Sequence, residues 1–485
     1  MKKAIIKTFT QWHVGLICGA VVPLATGCKQ EIKNETKRPN ILIILTDDQG
    51  SGDLGCLYAK DMRTPVLDQL FSDGVRMDNF YSNSSLSSPA RASLLTGRHN
   101  DMVGVQGVIR NEEENEYYGN FGYLDPNCIT MPQVLKKEGY ATALIGKWHL
   151  GYSSPNVPNE RGFDLFKGIL GGMMDDYYTH LRKGFPAIRH NNGVAAPVEG
   201  HITDILSDWA ADYIHEQSKN EKPFFLYLAY NAPHYPLDAP EDWVEMVMQR
   251  EPGITRKRAR LVALIEQLDA GIGRVFEALK QTGAYDNTLI MFFSDNGGDE
   301  GSEANNGICR GYKRDMYEGG IKIPCAFYLK GVMENRRSDN IAQLMDVAPT
   351  IYDLLGIIPE QEIDGISILP TLKGEPQVTN DRYLWWMHRD MGQRGNKIVT
   401  AIRYGDMKLV QNKPADPYEL FDLKNDPSET QSLPMKGAVA DALWKNMRIR
   451  ISLAGTVPWN MPIDKYVSWD QMNEGIERQP IVDKN

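Results

Sequence analysis

The sequence predicts an α/β protein with a large, mostly parallel central sheet flanked by helices and a smaller C-terminal α+β domain. Three observations support this fold class: apolar runs of strand length, helical periodicity between them, and shorter segments near the C-terminus. The apolar runs are Asn40–Leu45, Ala141–Ile145, Pro223–Ala229, Thr288–Phe293 and Pro324–Leu329. Runs without polar alternation are typical of strands buried on both faces of a parallel sheet.

Two segments between these runs carry apolar residues at helical spacing. One extends from Ile205 to Ile214, and the other extends from Leu261 to Leu279. Strands that alternate with helices favour a doubly wound sheet. In such sheets the ligand site lies beyond the carboxyl ends of the strands, so we expect the residues after each strand to carry the chemistry.

The C-terminal part predicts a small α+β domain. Beyond Pro370, a Gly-Glu-Pro break leads to shorter strand-like pieces and then to a helical segment. These pieces are Arg382–Met387, Val399–Arg403, Lys408–Val410 and the helical Ala438–Ile451. We therefore expect a catalytic domain over residues 39–370 and a C-terminal domain over residues 371–485 that completes the substrate pocket.

Composition and charge exclude several classes of protein. The 485 residues are 42% hydrophobic and 24% charged, which is typical of a globular protein and not of a disordered, collagenous or polytopic membrane protein. The net charge of −10 gives no bulk attraction for nucleic acid. An anionic substrate would therefore need positive charge concentrated in a pocket.

The N-terminus predicts export. Early lysines precede the apolar stretch Val14–Ala25, an order typical of a secretory signal over residues 1–27. The string Leu24–Cys28 resembles a bacterial lipobox, which implies cleavage before Cys28 and lipidation of its thiol. Residues 28–38 would then tether an exported bacterial lipoprotein, in the periplasm or at the outer-membrane surface, through the lipid anchor alone.

Polar side chains follow two of the predicted strands. Asp47 and Asp48 come after the first strand, and Asp295 and Asn296 come after the fourth. Carboxylate and amide oxygens without imidazole suit Ca²⁺ or Mg²⁺ and do not suit Zn²⁺. Asp and Asn also cap helices and form turns, but two such pairs at the ends of apolar strands favour a metal site.

Basic residues recur near the other strand ends. Lys147 and His149 follow the second strand, and residues two apart in extended backbone share a side. His234 follows the third strand, and Arg310 and Lys313 precede the last. A single histidine is usually structural and a single lysine usually solvated. Their recurrence at strand ends nevertheless predicts an anion pocket.

The segment around Ser87 predicts a short helix. A serine cluster and Pro89 precede helix-forming residues that end at Gly97, which is a start and stop pattern. A hydroxyl at a helix N-terminus faces partial positive charge, and Arg91 lies one turn further on. Taken alone, Ser87 or Ser88 would be an ordinary N-cap.

These residues resemble the sulfatase signature, which is Cys/Ser-x-Pro-Ser/Ala-Arg followed by Leu-Thr-Gly-Arg. Here the signature reads from Ser87 to Arg91 and from Leu95 to Arg98. The resemblance covers nearly all of the mature chain in the family's order, through Arg38–Asn40, Asp47–Gly50, Gly146–Gly151, Pro233–His234, Asp295–Gly297, Arg310–Pro324, Tyr418–Leu423 and Asp426–Pro427. The family belongs to the alkaline phosphatase superfamily, whose central-sheet fold agrees with the one predicted here.

The resemblance implies a role for each site residue. Ser87 would be the precursor of formylglycine, whose hydrate attacks sulfur with one hydroxyl and expels sulfate with the other. Ca²⁺ would be held by Asp47, Asp48, Asp295, Asn296 and residue 87. Sulfate charge would be stabilised by Arg91, Lys147 and Lys313. His149 would be the base for the collapse, and His234 would be the general acid for the leaving alcohol.

The sequence departs from the family pattern at two positions. Most members have Cys where this chain has Ser87, and serine is accepted by the anaerobic, radical-type maturation enzyme. That implies an anaerobic bacterium with this enzyme as a partner, although a serine that replaces a native cysteine, giving an inactive protein, stays open. Lys322 stands where an arginine is usual, and the two differ in hydrogen bonding.

Sulfated carbohydrate is the substrate class that the resemblance implies: glycosaminoglycan, mucin or algal glycan. The sugar-binding side chains expected are His388, Arg389 and Arg310. Trp385 and Trp386 lie in the same region, with packing between the domains as an equal alternative. Two other functions stay open: a phosphomonoester or phosphodiester hydrolase that uses unmodified Ser87, and a non-catalytic glycan-binding relative.

Overall fold

Ten strands form the central sheet of the computed structural model, which describes residues 37–114, 122–390, 397–413, 415–454 and 462–479. The expected signal peptide 1–27, Cys28 and most of the 28–38 tether lie outside these residues. Among the helices that are described, none combines the length and the apolar character needed to cross a membrane.

The central sheet is mostly parallel, with antiparallel pairing at one edge and around a single strand near the other edge. The strands up to Gln343 are β1 (Asn40–Thr46), β2 (Val75–Tyr81), β3 (Ala141–Lys147), β4 (Leu165–Ile169), β5 (Leu181–Arg182), β6 (Phe185–Pro186), β7 (Ile188–His190), β8 (Gly193–Val194), β9 (Phe224–Ala229), β10 (Thr288–Ser294), β11 (Cys325–Tyr328) and β12 (Arg336–Gln343). The sheet order is β12-β2-β11-β10-β1-β9-β3-β4-β7-β8, and β5 pairs only with β6. The neighbours β10, β1, β9, β3 and β4 all run parallel. The predicted fold class is therefore confirmed.

The register of β1 decides where the following residues emerge. It pairs with β10 residue for residue, from Asn40 opposite Thr288 to Thr46 opposite Ser294. On its other side it pairs in parallel with β9. All seven residues of β1 are buried, because helices cover both faces of the sheet. The chain segments that follow β1 and β10 therefore leave the sheet side by side.

Helices cover both faces of the sheet. They are Pro65–Asp73, Ser87–Thr96, Met131–Lys137, Ile202–Gln217, Glu241–Arg250, Arg256–Gln281, Glu318–Ile321, Val347–Leu355 and Leu369–Lys373. Alternate side chains of β1 enter the two opposite cores. Ile43 packs in the core that holds Ser87–Thr96, and Ile44 packs in the core that holds Arg256–Gln281. Both helical segments predicted from periodicity lie inside longer helices, as expected.

The C-terminal region contains a second, antiparallel sheet. Its strands, in sheet order, are β13 (Tyr383–Asp390), β14 (Lys397–Tyr404), β15 (Met407–Gln411) and β16 (Glu419–Asp422), followed by the helix Ala438–Ala454. Trp386 packs against Tyr81 of the central sheet, with ring centroids 5.6 Å apart. Trp385 lies on the opposite face with residues of Ala438–Ala454. Both tryptophans are buried, so their faces serve packing and not sugar stacking.

The last described helix, Trp469–Met472, returns to the catalytic part of the chain. Trp469 is buried in the same core as Ser87–Thr96, and its ring lies 6.2 Å from that of Tyr152. Its backbone N–H donates to the carboxylate of Glu113. Residues near the end of the chain therefore complete the main core.

The sequence patterns located the buried strands well and missed the edge strands. Each of the five apolar runs is a strand, with bounds that differ by at most two residues at either end. β2 and β12, near one edge of the sheet, were missed because polar residues interrupt their apolar pattern. Those of β2 are partly buried, and β12 begins with five polar residues that are partly or fully exposed. The boundary between residues 370 and 371 stays a prediction.

Two glycines allow close approach of three parallel strands, which gives a test of the packing. A Cβ on Gly168 would lie 1.9 Å from the carbonyl oxygen of Gly146, a backbone atom that cannot move aside. We expect Gly168→Ala to lower the free energy of unfolding by about 3 kcal/mol, measured by urea denaturation. The matched control is Gly193→Ala, because the nearest atom to its Cβ would lie 3.8 Å away. Equal losses from both substitutions would contradict this packing.

Candidate active site

Three buried carboxylates meet at the carboxyl ends of β1 and β10. Asp47 and Asp48 follow β1, and Asp295 follows β10, so the parallel register brings them together as predicted. Each offers an oxygen within 4.8 Å of the other two. The side chain of Asn296 joins this group, since its Nδ2 donates to Oδ1 of Asp48 at 2.8 Å. The four residues form one cluster of oxygen donors.

Backbone hydrogen bonds fix the two loops that carry this cluster. The N–H of Asp47 donates to the carbonyl of Ala232, and the N–H of Asp295 donates to the carbonyl of Thr46. Asp48 adopts a left-handed conformation, with φ of 64°, and its N–H donates to Oδ1 of Asp295 at 3.2 Å. The turn at Asp48 therefore directs two successive carboxylates toward the same point.

Ser87 lies at the start of the helix Ser87–Thr96 and faces the cluster. Its Oγ donates to Oδ1 of Asp47 at 3.1 Å and lies 3.5 Å from Oδ1 of Asn296. The helix N-cap is Leu86, so Ser87 is not the N-cap. The helix ends at Gly97, whose φ of 67° is the left-handed conformation that glycine favours. Both predicted ends of this helix are confirmed.

Three basic side chains neutralise the three carboxylates. Arg91 donates from Nε and Nη2 to Oδ2 of Asp295, at 3.1 and 2.9 Å. The ammonium of Lys147 contacts Oδ2 of Asp47 at 2.5 Å and lies 3.5 Å from the Ser87 hydroxyl. Lys313 contacts Oδ2 of Asp48 at 2.6 Å. A divalent cation added to this balanced set would leave excess positive charge for an anionic substrate.

Burial and nearby charge shift the pKa values of the neighbouring carboxyl groups of Asp47 and Asp48 in opposite directions. Burial raises the pKa of Asp47 to about 7, against the opposing charge of Lys147. Burial also opposes ionisation of Asp48, but the ammonium of Lys313 and the imidazole of His234 hold the pKa of Asp48 below its ordinary value. A metal ion would therefore compete with a proton at Asp47.

His149 lies close to this cluster in a conformation that the sequence did not predict. We expected extended backbone after β3, but His149 is left-handed, with φ of 59°. Its imidazole packs against Gly172, where a Cβ would lie 2.6 Å from the ring. Burial, reinforced by the positive charge of Lys147, holds the pKa of His149 well below its ordinary value. The ring is therefore neutral, and no described residue is a hydrogen-bond partner of its Nδ1.

His234 follows β9 and lies near Asp48. Its Nδ1 donates to the carbonyl of Tyr235 at 2.7 Å, and its Nε2 lies 3.6 Å from Oδ2 of Asp48. Burial and the nearby ammonium of Lys313 lower the pKa of His234, while Asp48 opposes this shift. The free Nε2 is thus the atom that this ring can present to a substrate.

Sequence reasoning missed the residue that holds the loop of His234. The hydroxyl of Tyr177 lies 2.7 Å from the carbonyl oxygen of His234 and 2.8 Å from that of Asn231. Tyr177 is buried, and it lies in a loop where no local pattern marks it. Its position could be found only from the packing of that loop against the residues after β9.

The residues expected to bind sugar have different surroundings. His388 is buried, with Nδ1 3.2 Å from the hydroxyl of Ser85 in the loop before Ser87. Arg389 is partly buried and donates its backbone N–H to Gln106. Arg310 stacks on the ring of Tyr317 and donates to the backbone of Glu429. Their roles toward a sugar stay predictions.

The unusual Lys322 lies apart from these contacts. Its ammonium donates to Oδ1 of Asn79 on β2 at 3.1 Å. Asn79 does not belong to the cluster of carboxylates. The lysine at this position is therefore compatible with the arrangement around Ser87.

Comparisons with known proteins agree with this geometry. The family model described as Sulfatase matches residues 39–357, and the model described as N-sulphoglucosamine sulphohydrolase, C-terminal, matches residues 311–453. Mouse arylsulfatase J is 33% identical over 78% of this chain, and dog N-acetylgalactosamine-6-sulfatase is 30% identical over 80% of it. The match spans 65% of the length of arylsulfatase J, which is just under two thirds. It spans 74% of the length of the N-acetylgalactosamine-6-sulfatase.

A solved structure extends the similarity to the whole fold. The crystal structure of Ps i-CgsB in complex with k-i-k-neocarrahexaose superposes with a TM-score of 0.78 at 29% sequence identity. The similarity covers 90% of this chain and 98% of that one. The central sheet and the C-terminal sheet therefore belong to one shared architecture.

The buried pair of Arg91 and Asp295 gives a test of the site's electrostatics. We expect Arg91→Met to lower the free energy of unfolding by about 3–5 kcal/mol, because it leaves Asp295 buried without its cation. Urea denaturation with a chelator present would measure this loss. The control is Arg274→Met, whose pairs with Asp204 and Asp208 are exposed and should be worth about 1 kcal/mol or less. A loss at Arg91 no larger than at Arg274 would refute this view of the cluster.

Proposed function

The chain belongs to the sulfatase family, and from this premise we propose that it is a sulfuric ester hydrolase that releases sulfate from carbohydrate. The observation that carries the proposal is the setting of Ser87. Its hydroxyl lies at a helix N-terminus. It donates a hydrogen bond to Asp47 and lies 3.5 Å from the ammonium of Lys147. Here a nucleophile, an oxygen donor set and three nearby cations converge on one point.

The donor set fits Ca²⁺ better than any softer metal. The buried residues that would hold the ion are Asp47, Asp48, Asp295, Asn296 and residue 87, all of which offer oxygen. No imidazole or thiolate belongs to this set, which argues against Zn²⁺, and the larger Ca²⁺ accepts more oxygen ligands than Mg²⁺. When bound, the ion supplies Lewis-acid polarisation of the oxygens next to it.

Ser87 is proposed to be oxidised to formylglycine by an anaerobic-type maturation enzyme. The hydrate of that aldehyde supplies two hydroxyls on one carbon, one as nucleophile and one for release of sulfate. Within this chain, Asp47 accepts the hydrogen bond of residue 87, and the helix N-terminus favours negative charge at that position. An unmodified serine has no second hydroxyl, which separates this proposal from a phosphatase-like use of Ser87.

The basic side chains and the histidines have separate proposed roles, in charge stabilisation and in proton transfer. Arg91, Lys147 and Lys313 would hold the sulfate charge and position the nucleophile. His149 is neutral and buried, so it can accept a proton from the second hydroxyl of residue 87. His234 presents Nε2 toward the same point, and a bound sulfate anion would offset the charge of Lys313 and favour protonation of this ring.

Carbohydrate is the proposed source of the sulfate ester. One of the relatives is named N-acetylgalactosamine-6-sulfatase, and Ps i-CgsB was solved in complex with k-i-k-neocarrahexaose. His388 lies next to the loop of Ser87, where an adjoining sugar would meet it. We further propose that the protein acts as an exported lipoprotein anchored at Cys28, which would place it among extracellular glycans.

The proposal is tested by determining whether residue 87 is serine or formylglycine in active protein. Protein made in a host without a serine-competent maturase should fold but release almost no sulfate, and co-expression of an anaerobic-type maturase should restore turnover. Sulfate release and the mass of the peptide containing Ser87 would be measured together, since formylglycine is lighter by a pair of hydrogens.

Two serine variants serve as controls for that measurement. Ser87→Ala should stay inactive with the maturase, whereas Ser88→Ala should remain active, because Ser88 only accepts the backbone N–H of Ile109. Ser87→Cys should recover activity in hosts that oxidise only cysteine. Multiple turnover by protein whose residue 87 is still serine would overturn the aldehyde mechanism and favour the phosphatase-like function.

The acid role of His234 is tested by the choice of leaving group. We expect His234→Ala to slow sulfate release from a sugar sulfate by about 100-fold, and from nitrophenyl sulfate far less. An alkoxide needs a proton as it leaves, whereas an activated phenolate does not. His190→Ala, an exposed histidine on β7, should change neither rate. Equal losses on both substrates would remove His234 from the acid role.

A further inference from the structure

A buried lysine in the C-terminal sheet is bonded to two carboxylates from different parts of the chain. Lys408 lies on β15 and is fully buried. Its ammonium donates to Oε1 of Glu318 and to Oε1 of Glu429, both at 2.9 Å. Glu318 begins the helix Glu318–Ile321 of the catalytic part. The lysine therefore joins the C-terminal sheet to that short helix.

Glu318 is held at both its side chain and its backbone. Its second carboxylate oxygen accepts the hydroxyl of Tyr81 at 2.6 Å, and Tyr81 in turn accepts from Arg403 at 2.5 Å. Its backbone N–H donates to Oε2 of Glu429 at 2.6 Å. Lys408 is thus the shared cation of a buried network that leaves Glu318 little freedom.

The two glycines after Glu318, Gly319 and Gly320, contact the loops of the active site directly. The N–H of Gly297, next to Asn296, donates to the carbonyl of Gly320 at 3.0 Å. A Cβ on Gly297 would lie 1.8 Å from the carbonyl oxygen of Gly319. The N–H of Gly319 donates to the carbonyl of Arg310 at 2.7 Å, at the start of the loop that carries Lys313. One backbone turn therefore abuts both loops.

We propose that Lys408 is a positioning residue that sets the geometry of the metal-binding loop through Glu318 and the glycine turn. This inference rests on the proposed function, because the loop it positions carries Asp295 and Asn296. Through this contact the C-terminal sheet contributes to the site, although Lys408 contacts none of its reacting groups.

Stability alone does not account for this network. Replacing a buried ion pair by apolar side chains of similar volume is often neutral for folding. The same interface also holds an apolar cluster that contains Tyr81, Trp386 and Phe421. A buried lysine with two carboxylates in such an interface constrains the geometry of the groups it holds. Substitution of residues that orient metal ligands commonly lowers metal affinity by about 10–100-fold.

The test is Ca²⁺ binding by the full chain with serine at residue 87, measured by calorimetry. We expect Lys408→Met to raise the dissociation constant for Ca²⁺ by at least about tenfold. The matched control is Leu409→Ala, the next residue on the same strand. Its side chain points to the opposite face and packs with the helix Ala438–Ala454. This control should lower the melting temperature of the protein and leave the Ca²⁺ dissociation constant within about twofold of wild type.

The outcomes separate this inference from the proposed function. Equal Ca²⁺ affinity in wild type and Lys408→Met, or equal weakening by both variants, would overturn the positioning role while leaving the sulfatase proposal intact. Absence of Ca²⁺ binding by the wild-type chain would contradict the proposed metal, and the positioning role with it. If Lys408→Met does not fold, Glu429→Gln decides by the same criteria, since it weakens the bonds to Lys408 and to the backbone of Glu318.

Discussion

The parallel pairing of β1 with β10 is the constraint on which the rest of the site depends. Because Thr46 lies opposite Ser294, the next residues of both strands emerge as neighbours, and Asp47 meets Asp295 without any adjustment of the loops. A shift of one residue would send the carboxylates to opposite faces of the sheet. The register is secured by apolar side chains on both faces of β1, so the hydrophobic core fixes the polar centre.

The three buried carboxylates of that centre require positive charge from the surrounding chain, because a buried carboxylate does not stay ionised without a paired cation. Arg91 from a helix, Lys147 from β3 and Lys313 from a loop each supply one cation. The contributions come from three distant parts of the sequence, so the charge balance exists only when the fold is complete. The same cations that neutralise the three acids are the groups proposed to hold a sulfate anion.

The sequence predicted the centre of the fold and the cluster of charged residues, since both are encoded locally. An apolar run followed by paired aspartates marks a strand end wherever it occurs, and the signature around Ser87 is contiguous. The left-handed backbone of His149 was not predicted, because the preference for it comes from packing against Gly172 and not from His149 itself. Tyr177 and Lys408 were missed for a related reason. Each acts through contacts with residues far away in the sequence, and no local spacing reports such contacts.

The burial of Trp469 in the main core bears on the order of events during synthesis. This residue packs with Tyr152 in the core that also holds the helix of Ser87, yet it lies near the end of the chain. That core therefore cannot close completely until the chain has been synthesised through Trp469. In the finished fold the side chain of Ser87 is only 3% exposed. An enzyme that modifies Ser87 after Trp469 has packed would therefore meet a side chain that the native fold buries.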